Sequence, residues 1–582
     1  MENKKDILES ISSVTKSLET GLELNNKSSV SQYYCDALND KNINDVLGDA
    51  DTHLITLVGF SEVGKSTFVA SLYHTFMLKG EIDGYKIIDS DTFVGFERRA
   101  HVRNEVFKTS KRNIRTVTTE GQFLTLTLYK DGIKKKLIIS DKAGEIYKNN
   151  YVDNLSDVQK DKGLINSKHI LFFIDCSVLN NDDEYIDFDD KFQMLLSRMS
   201  SAKVFDIPKQ FDILYNKIDT NNAEEKARLY QNNRKDFEEK LASGFSIKVA
   251  HTFETKSNDM NDKGMLEAFR YIVSQLDKED YKECKEVNWV HTILKKNDEV
   301  MTKCMIAGLP SSGKSTYIGA LWYCLRHPAK NADLKLVADN NNLPEDISVL
   351  NRLSDAYKDM RAINRTNSNE NERVQLNLRV VSTGETIQVE VPDFLGETFR
   401  DLIELNQSDL LTEWLDNTDS LVYFISDVSV GEFEDDFGTE DDDKESPATE
   451  IPPFKITDIS PAAMNIMVLK FLMSKKKFNR VVIVLSQWDK QTENGRTPKN
   501  PQEYLEEESP ALYNYIEHNI NNAQIIGLSA QGREYPQNEN QENYNGIKKE
   551  VRKQMQNGNR SFVEDETSIL YDLSIPLYLL LK

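Results

Sequence analysis

Residues 59–66 read Gly59-Phe60-Ser61-Glu62-Val63-Gly64-Lys65-Ser66, and they lie between an apolar run and an amphipathic segment. This is the pattern G-x-x-x-x-G-K-[ST] in the strand–loop–helix context that gives it meaning. In such a loop, successive backbone N–H groups and the amino terminus of the helix bind phosphate oxygens. Lys65 is predicted to reach the β- and γ-phosphates, and Ser66 to bind a magnesium ion, with Thr67 next to it in the nucleotide site.

The same pattern occurs a second time, as Gly308-Leu309-Pro310-Ser311-Ser312-Gly313-Lys314-Ser315. It again follows an apolar run and precedes an amphipathic segment, so two chance matches can be set aside. Lys314, Ser315 and Thr316 are predicted to repeat the roles of their counterparts. The loop glycines Gly59, Gly64, Gly308 and Gly313 belong to the predicted nucleotide contacts.

Short apolar runs alternate with amphipathic stretches through both halves of the chain. Such runs are typical of interior strands in a parallel sheet that is covered on both faces. They lie at 53–58, 137–140, 170–174 and 211–215, and again at 303–307, 387–391, 421–425 and 481–485. The predicted fold class is therefore α/β, with two tandem P-loop NTPase domains that each have a mostly parallel sheet covered by helices on both faces.

The predicted domain boundaries follow changes in composition. An N-terminal helical segment at 1–50 has one apolar face, which either docks on the first domain or binds a partner. The first domain is placed at 51–278, a charged connector at 279–299 and the second domain at 300–582. An acidic insertion at 428–450 is predicted to be a mobile, solvated loop, with a calcium site or a docking tail for a basic partner as alternatives.

Each half has a D-x-x-G element at the end of a predicted strand, at a similar distance beyond its phosphate loop. The two stretches are Asp141-Lys142-Ala143-Gly144-Glu145 and Asp393-Phe394-Leu395-Gly396-Glu397. Asp141 and Asp393 are predicted to hold magnesium through water, and Gly144 and Gly396 to sense the γ-phosphate.

A base-recognition element follows a later strand in each half. In Asn216-Lys217-Ile218-Asp219, the aspartate can accept two hydrogen bonds from guanine, a pair that adenine does not offer. The second half has Ser486-Gln487-Trp488-Asp489 at this place, so the carboxylate is retained while the asparagine and the lysine are replaced. Thr255 and Lys256, and in the second half Ser529 and Ala530, could close over the base.

The order of these elements resembles Ras-like, G-protein-like GTPases of the translation-factor-related P-loop class, present twice, and is similar to that of bacterial double-GTPase proteins. The resemblance covers roughly 50–280 and 300–582. It implies GTP or GDP together with Mg²⁺ as ligands at two sites, and slow GTP hydrolysis. The departure at residues 486–489 puts the guanine preference of the second domain in doubt.

Hydrolysis in this class uses a threonine near the metal, a water-orienting residue and often an arginine. An Arg-Thr pair stands in the predicted switch segment of each half, at Arg115-Thr116 before the predicted edge strand of the first domain, and at Arg365-Thr366. The spacing from Arg115 to Thr118 resembles that of heterotrimeric G-protein α-subunits, whose arginine acts in cis. Candidate metal ligands are thus Thr116 or Thr118, and Thr366, with Arg115 and Arg365 as catalytic candidates. Glu145 and Glu397, the further catalytic candidates, occupy the position where many Ras-like proteins have a water-orienting glutamine. A carboxylate can orient water but repels the γ-phosphate, so either turnover is slow or a different residue positions the water.

The composition limits the partners. A formal net charge of −23 disfavours nucleic acid and anionic membranes as partners. No apolar run is long enough to span a membrane, and the amino terminus lacks a secretory signal, so a cytoplasmic location is expected. The five cysteines have no C-x-x-C spacing, so neither a zinc site nor a disulfide framework is predicted.

Three functions remain open at this point. The first is a GTPase switch whose nucleotide state acts on the other domain or on protein partners. The second is a nucleotide-stabilised scaffold whose second domain does not hydrolyse. The third, a ribosome-assembly GTPase, is weakened by the acidic charge. The resemblance also implies a regulatory part in a bacterial antiviral defence system.

Overall fold

The structure is a computed structural model of the chain. It describes residues 33–47, 52–101, 122–256, 262–278, 302–328, 333–339, 343–344, 347–361, 373–392, 415–416, 418–431, 454–493, 499–533 and 544–581. Most of the predicted N-terminal segment, the connector, and the acidic insertion from residue 432 onward therefore lie outside the described residues.

The strands form two sheets. In the first domain they are β1 (Thr52–Val58), β2 (Glu81–Ile82), β3 (Tyr85–Asp89), β4 (Phe123–Lys130), β5 (Ile133–Asp141), β6 (His169–Asp175), β7 (Gln210–Asn216) and β8 (Val249–Thr255). In the second domain they are β9 (Thr302–Gly308), β10 (Leu336–Ala338), β11 (Arg373–Val380), β12 (Thr386–Pro392), β13 (Ser420–Ile425), β14 (Arg480–Ser486), β15 (Ala523–Ser529), β16 (Phe562–Glu564) and β17 (Ile569–Leu570).

The α-helices connect and cover these strands. In the first domain they are α1 (Asn44–Leu47), α2 (Lys65–Lys79), α3 (Phe93–His101), α4 (Leu155–Lys160), α5 (Lys162–Asn166), α6 (Cys176–Leu179), α7 (Asp182–Ser201), α8 (Glu224–Phe245) and α9 (Lys263–Ser274). In the second domain they are α10 (Lys314–Arg326), α11 (Ser348–Lys358), α12 (Pro461–Lys475), α13 (Asp489–Glu493), α14 (Pro501–Glu508), α15 (Pro510–Asn519), α16 (Tyr544–Asn557) and α17 (Ile575–Tyr578). A π-helix spans Ile146–Tyr151, and short 3₁₀ helices span Ile218–Thr220, Gln275–Lys278, Ile456–Asp458 and Leu579–Leu581.

The described strands of the first domain have the order β2-β3-β4-β5-β1-β6-β7-β8, and those of the second have the order β10-β11-β12-β9-β13-β14-β15-β16-β17. Neighbouring strands are parallel in the series β5-β1-β6-β7-β8 of the first sheet and β12-β9-β13-β14-β15 of the second. The pairs β4-β5, β11-β12 and β15-β16, which flank these series, are antiparallel. These two mostly parallel mixed sheets with helices confirm the predicted fold class. In each domain the carboxyl ends of the parallel strands meet at one edge, where a ligand site is expected.

One topological prediction is wrong. The strand after the first switch segment was expected at the sheet edge, but β4 lies inside the sheet, between β3 and β5. The hairpin of β2 and β3 extends the sheet beyond it, and α3 follows this hairpin. The strands of the hairpin and α3 are short, so their apolar residues do not repeat often enough to distinguish these elements from a loop in the sequence.

One hydrophobic cluster contains buried side chains of both domains, and each domain also has an apolar cluster of its own. Helix α2 packs against α15, and α15 also packs along β3 of the first domain. Buried side chains of the same apolar cluster come from both domains, including Tyr73 and Phe96 on one side and Ile466 and Ile516 on the other. Because burial of apolar area is the main favourable term in association, this shared core joins the domains into one folded body.

The end of α2 fits directly against the second domain. Gly80 caps the helix with φ 70°, and a Cβ at this position would lie 2.5 Å from the Cβ of Pro510. The side-chain amide of Asn514 donates to the carbonyl of Gly80 (3.0 Å), and that of Asn519 donates to the carbonyl of Ile88 (2.7 Å). Only glycine allows this close approach and this backbone conformation together.

No described helix combines the length and the apolar character that a membrane crossing requires.

Candidate functional site

The first phosphate loop joins β1 to α2. Its backbone adopts the left-handed conformation at Glu62 (φ 66°) and at Gly64 (φ 92°). Gly59 has no room for a side chain, since a Cβ there would lie 2.7 Å from the carbonyl oxygen of Phe173. The turn ends at the amino terminus of α2, where the first N–H groups of a helix lack helical partners and attract an anion.

Lys65 lies inside this loop. Its ammonium donates to the carbonyl of Gly59 (2.7 Å) and to that of Phe60 (3.1 Å), and the residue is buried. Burial lowers the pKa of Lys65 to about 8, although the carboxylates of Asp141 and Glu145 act in the opposite direction. The position and the charge of this lysine suit a ligand with phosphate oxygens.

Nucleotide affinity at the first site is expected to fall as the pH rises above about 8, the pKa of Lys65. Phosphate binding favours the ammonium form, so a neutral lysine must take up a proton when the nucleotide binds. The dissociation constant should then rise about tenfold per pH unit until the pKa of the complex is reached. Titration of a fluorescent GTP analogue into a Lys314→Ala variant measures this site alone.

The matched control for this pH profile is Lys65→Arg, because a guanidinium stays protonated throughout the range. That variant should lose the pH step whatever its absolute affinity. An identical step in Lys65→Arg would assign the effect to another group.

The second phosphate loop, between β9 and α10, repeats this geometry. Ser311 (φ 61°) and Gly313 (φ 87°) are left-handed, as their counterparts are in the first loop. The ammonium of Lys314 donates to the carbonyls of Gly308 (2.7 Å) and Leu309 (2.9 Å). A Cβ on Gly308 would lie 2.4 Å from the carbonyl oxygen of Phe424. Both halves therefore build the same cradle at the same edge of the sheet.

The serine and threonine after each lysine are the second and third residues of the helix that follows the loop. Ser66, Thr67 and Thr316 are half-buried, and Ser315 is exposed. All four residues lie in the first turn of α2 or α10, close to the predicted phosphate position.

Asp141 ends β5 and lies opposite Leu57 of β1, directly beside the first phosphate loop. The residue is 1% exposed. Its Oδ2 accepts a hydrogen bond from Nε of Arg99 (2.7 Å), whereas its Oδ1 has no hydrogen-bond partner among the described residues. A buried carboxylate oxygen with unused acceptor capacity fits the hydration shell of a hard cation such as Mg²⁺.

Gly144 touches the phosphate loop. A Cβ on Gly144 would lie 2.3 Å from backbone atoms of both Phe60 and Ser61, so any side chain would push the two segments apart. Glu145 follows and is half-buried, and the π-helix begins one residue later. The ring of Tyr147 lies 5.7 Å from the ammonium of Lys65. The D-x-x-G segment is thus packed onto the loop that it was predicted to accompany.

A buried cluster holds this segment from the other side. The ammonium of Lys142 donates to Asp161 (2.8 Å) and to the hydroxyl of Tyr151 (2.6 Å). Asp161 is 2% exposed and also caps α5. None of these residues, nor Arg99, was a predicted site residue. Lys142 lies within the D-x-x-G motif, and this position was the one sequence feature that could have marked it as a site residue.

The first base-recognition element is tied to the phosphate loop. The side-chain amide of Asn216 donates to the carbonyl of Val63 (3.0 Å), and its oxygen accepts from the hydroxyl of Thr255 (3.1 Å). Lys217 is left-handed (φ 59°) and pairs with Asp175 (2.6 Å). Three predicted contact segments, separated widely in sequence, therefore meet in one place.

The outer part of this element faces solvent. Asp219 is exposed and Lys256 is half-buried. The backbone N–H of Lys256 donates to Asp262 (3.3 Å), which fixes the segment after β8 to the start of α9. We call the two hydrogen bonds of Asn216 to Val63 and Thr255 the asparagine brace. The exposed carboxylate of Asp219 lies beside it in the sequence and is accessible to a base.

The second base-recognition element keeps the backbone shape but changes the contacts. Gln487 is left-handed (φ 56°), like Lys217, yet the hydroxyl of Ser486 donates to the carbonyl of Ile425 (3.2 Å). Asp489 is buried and accepts a hydrogen bond from the hydroxyl of Ser529. The asparagine brace of the first domain is thus replaced by a serine that bonds to a strand.

Trp488 is part of the core. Its indole N–H donates to Glu564 (2.6 Å), and the residue is 2% exposed. The ring lies on β15, where a Cβ on Gly527 would come within 2.7 Å of it. Ala530 follows β15 and its side chain is half-buried.

Several predicted site residues lie outside the described residues: Arg115, Thr116, Thr118, Arg365, Thr366, Asp393, Gly396 and Glu397. Asp393 follows β12 directly in the sequence, as Asp141 ends β5. The roles of these residues stay predictions.

Two family models match the chain. The model named Double-GTPase 2 matches residues 53–272, and the model named Double-GTPase 1 matches residues 305–580. Each matched range contains one phosphate loop. No curated protein matches the chain. The resemblance to double-GTPase proteins is confirmed, and tandem GTPase domains imply binding of guanine nucleotide.

Proposed function

Since the chain belongs to the double-GTPase proteins, with a Double-GTPase 2 domain followed by a Double-GTPase 1 domain, we propose that it is a magnesium-dependent GTPase switch. Hydrolysis is expected to be slow without a partner, because glutamate occupies the water-orienting position and repels the γ-phosphate.

The observation that carries the proposal is the brace at Asn216. Its side-chain amide donates to Val63 of the phosphate loop (3.0 Å), and its oxygen accepts from Thr255 at the end of β8 (3.1 Å). A phosphate-binding loop alone would fit many nucleotides. A phosphate loop joined to an exposed carboxylate at Asp219 supports a guanine nucleotide, since that carboxylate can accept from two donors on the base.

The residues that would hold magnesium are Ser66 and, through water, Asp141, with Thr116 or Thr118 as a third candidate. When bound, Mg²⁺ supplies positive charge beside the phosphate oxygens. The loop N–H groups and Lys65 bind the phosphates, and Gly144 lets the D-x-x-G backbone lie close to them. Asp393, Ser315 and Thr366 would take the metal-binding positions in the second domain.

Water attack on the γ-phosphate requires an oriented nucleophile and charge compensation. Glu145 is our candidate for orienting the water, and Arg115 for offsetting charge in the transition state, with Glu397 and Arg365 as their counterparts. A carboxylate can accept a hydrogen bond from the attacking water, but its charge works against the phosphate. This opposition is the physical reason for expecting slow turnover.

A second candidate function, a scaffold whose second domain binds without hydrolysing, is favoured by the contacts at Ser486. The serine bonds to β13 and leaves the second phosphate loop without the asparagine brace of the first domain. Asp489 is buried and accepts a hydrogen bond from Ser529, in contrast to the exposed Asp219 of the first domain. Under this alternative the second nucleotide stabilises the fold and is retained.

The test uses Lys65→Ala and Lys314→Ala in the full chain. Wild-type protein with Mg²⁺ should bind two GTP molecules, and each variant one, because each lysine supplies charge to one triphosphate. Removal of this charge should weaken the affected site about a hundredfold, the effect of losing a few kcal/mol of charge-assisted bonding. Equilibrium dialysis gives the stoichiometry, and single-turnover assays on the two variants give the hydrolysis rate of each site.

Lys134→Ala, which removes an exposed lysine of β5, is the matched control and should bind like the wild type. Wild-type protein that retains no guanine nucleotide would refute the proposal. Hydrolysis at the first site together with retention at the second would select the scaffold alternative. A regulatory part in a bacterial antiviral defence system is our prediction for the biological role.

A further inference from the structure

Helix α3 contacts both domains through neighbouring charged side chains. Arg99 binds Asp141 of the first nucleotide site, and Glu97 binds Ser460 at the start of α12 in the second domain. Arg98, between them, places its guanidinium 4.9 Å from the ring of Phe454. The segment after α3 in the sequence contains Arg115, Thr116 and Thr118.

The pair of Arg99 and Asp141 is buried. The side chains are 4% and 0% exposed, and Nε lies 2.7 Å from Oδ2. Nη1 of the same guanidinium donates to the carbonyl of Gly95 one turn earlier (2.9 Å). The guanidinium is therefore fixed to its own helix, so the position of the Asp141 carboxylate depends on the position of α3.

Glu97 joins three helices. It accepts hydrogen bonds from the hydroxyl of Ser460 (2.7 Å), from the backbone N–H of Ser460 (3.2 Å) and from the hydroxyl of Tyr73 on α2 (2.8 Å). The ring of Tyr73 also stacks on Phe96 of α3, with centroids 4.8 Å apart. Burial raises the pKa of Glu97, and the bonds from Ser460 and Tyr73 oppose that rise. A buried carboxylate with three donors fixes the geometry of all three helices.

The contacts continue from α12 to the second phosphate loop. The side chain of Asn465 accepts from the hydroxyl of Tyr423 (3.1 Å) and donates to the carbonyl of Asp427 (3.1 Å), which binds α12 to β13 and its end. The next residue of β13, Phe424, places its carbonyl oxygen directly against Gly308 of the loop. A continuous series of packed and hydrogen-bonded groups thus connects Asp141 to the second nucleotide site.

We propose that α3 couples the two nucleotide sites, with Arg99 as the positioning residue for Asp141 and Glu97 as the link to the second domain. The inference rests on the proposed function, since it takes Asp141 to face the Mg²⁺ of a bound nucleotide. Oδ2 stays with Arg99 while Oδ1 would accept from the hydrated metal, so nucleotide binding at the first site favours the position of α3 in which Arg99 holds Asp141. The same position of α3 places Glu97 against Ser460 at the start of α12, so the second site binds more tightly because both nucleotides favour one arrangement of these helices.

The experiment measures the affinity of the second site for a fluorescent GTP analogue with Mg²⁺, with the first site either loaded or blocked. Blocking is done with Lys65→Ala. In otherwise wild-type protein we expect the second site to bind about fivefold or more tightly when the first site is loaded. In Glu97→Gln and in Ser460→Ala, the ratio between the loaded and the blocked state should fall to within about twofold of one. Ser460→Ala removes one hydroxyl and is the milder change if Glu97→Gln does not fold.

Arg99→Met tests the positioning role. The Mg²⁺ concentration that half-saturates GTP retention at the first site should rise about tenfold, and the coupling ratio should fall toward one. The affinity of the second site in the Lys65→Ala background should stay unchanged. A purely structural arginine would lower the melting temperature without moving the Mg²⁺ requirement.

Asn519→Ala is the matched control, because it removes a hydrogen bond across the same interface at Ile88 and away from α3. This variant should keep the wild-type ratio. The inference is overturned if both sites bind independently in the wild type, or if the ratio survives in Glu97→Gln and Ser460→Ala. A first site that binds no nucleotide would refute the proposed function itself, and the coupling with it.

Discussion

Replacement of Lys470 by Met is expected to lower the apparent free energy of the first unfolding transition by about 3 kcal/mol. Lys470 of α12 reaches across the domain boundary to Asp89 (2.6 Å), to Asp91 (2.9 Å) and to the carbonyl of Ser90 (3.0 Å). Burial would lower the pKa of Lys470, but the two carboxylates raise it above its usual range. Loss of the ammonium would leave two carboxylates close together without their common partner.

The pKa values of Asp89 and Asp91 are shifted in opposite directions, and this difference limits the expected loss of stability. Burial raises the pKa of Asp89, whereas burial of Asp91 is outweighed by Lys470 and Lys136, which bring its pKa to about 2. Asp91 is 37% exposed, so water can partly replace the lost lysine. We therefore use the lower end of the range for a broken buried ion pair, about 3 kcal/mol.

Urea denaturation followed by intrinsic fluorescence measures the change. Lys136→Met is the control, because this lysine pairs with the same Asp91 (3.0 Å) within the first domain, and should cost less than about 1 kcal/mol. Lys470→Met combined with Asp89→Asn and Asp91→Asn should recover part of the loss. A Lys470→Met protein as stable as the Lys136→Met protein would show that this cluster does not hold the domains together.

Asp219→Asn is expected to weaken GTP binding at the first site about a hundredfold. The aspartate is predicted to accept two charge-assisted hydrogen bonds from guanine, each of which contributes about 1.5 kcal/mol or more. The asparagine amide offers one acceptor and turns a donor toward a donor on the base. The affinity for ATP should stay as it is, since adenine lacks the donor pair. Titration of both nucleotides into the Lys314→Ala background gives the two affinities.

Asp153→Asn, an exposed aspartate before α4, controls for the loss of one negative charge. It should bind GTP like its parent. An unchanged preference for GTP over ATP in Asp219→Asn would mean that the base is recognised elsewhere. The same substitution at Asp489 then asks whether the second site distinguishes the two bases at all.

The features predicted correctly from the sequence are those with strong local signals. The phosphate loops combine a fixed pattern of glycines with an apolar strand on one side, and the structure gives both loops the same left-handed residues. β5 shows the limit of such signals. It was predicted from residue 137, but it begins at Ile133, which pairs with Lys130 of β4. Lys135 in this added stretch is buried and donates to the carbonyl of Leu276 (2.9 Å). Lysine is depleted in strands, and a partner so far along the chain gives no local sign that this lysine belongs to one.

Arg99 could not have been found in this way. It is separated from Asp141 by the whole of β4 and most of β5, and nothing in its own neighbourhood marks it as a site residue. Lys470 and Glu97 have partners in the other domain, and a single sequence gives no information on how two domains pack. Patterns along a chain report local periodicity, whereas these contacts depend on the assembled fold.

The shared apolar core has a consequence for synthesis. The first domain leaves the ribosomal tunnel while α12 and α15 of the second have not yet been translated. Until then the surfaces of α2 and β3 that pack against α15 remain uncovered in the nascent chain. A nascent chain with this exposed apolar surface is prone to aggregate. The yield of folded protein should therefore depend on rapid elongation or on chaperone binding.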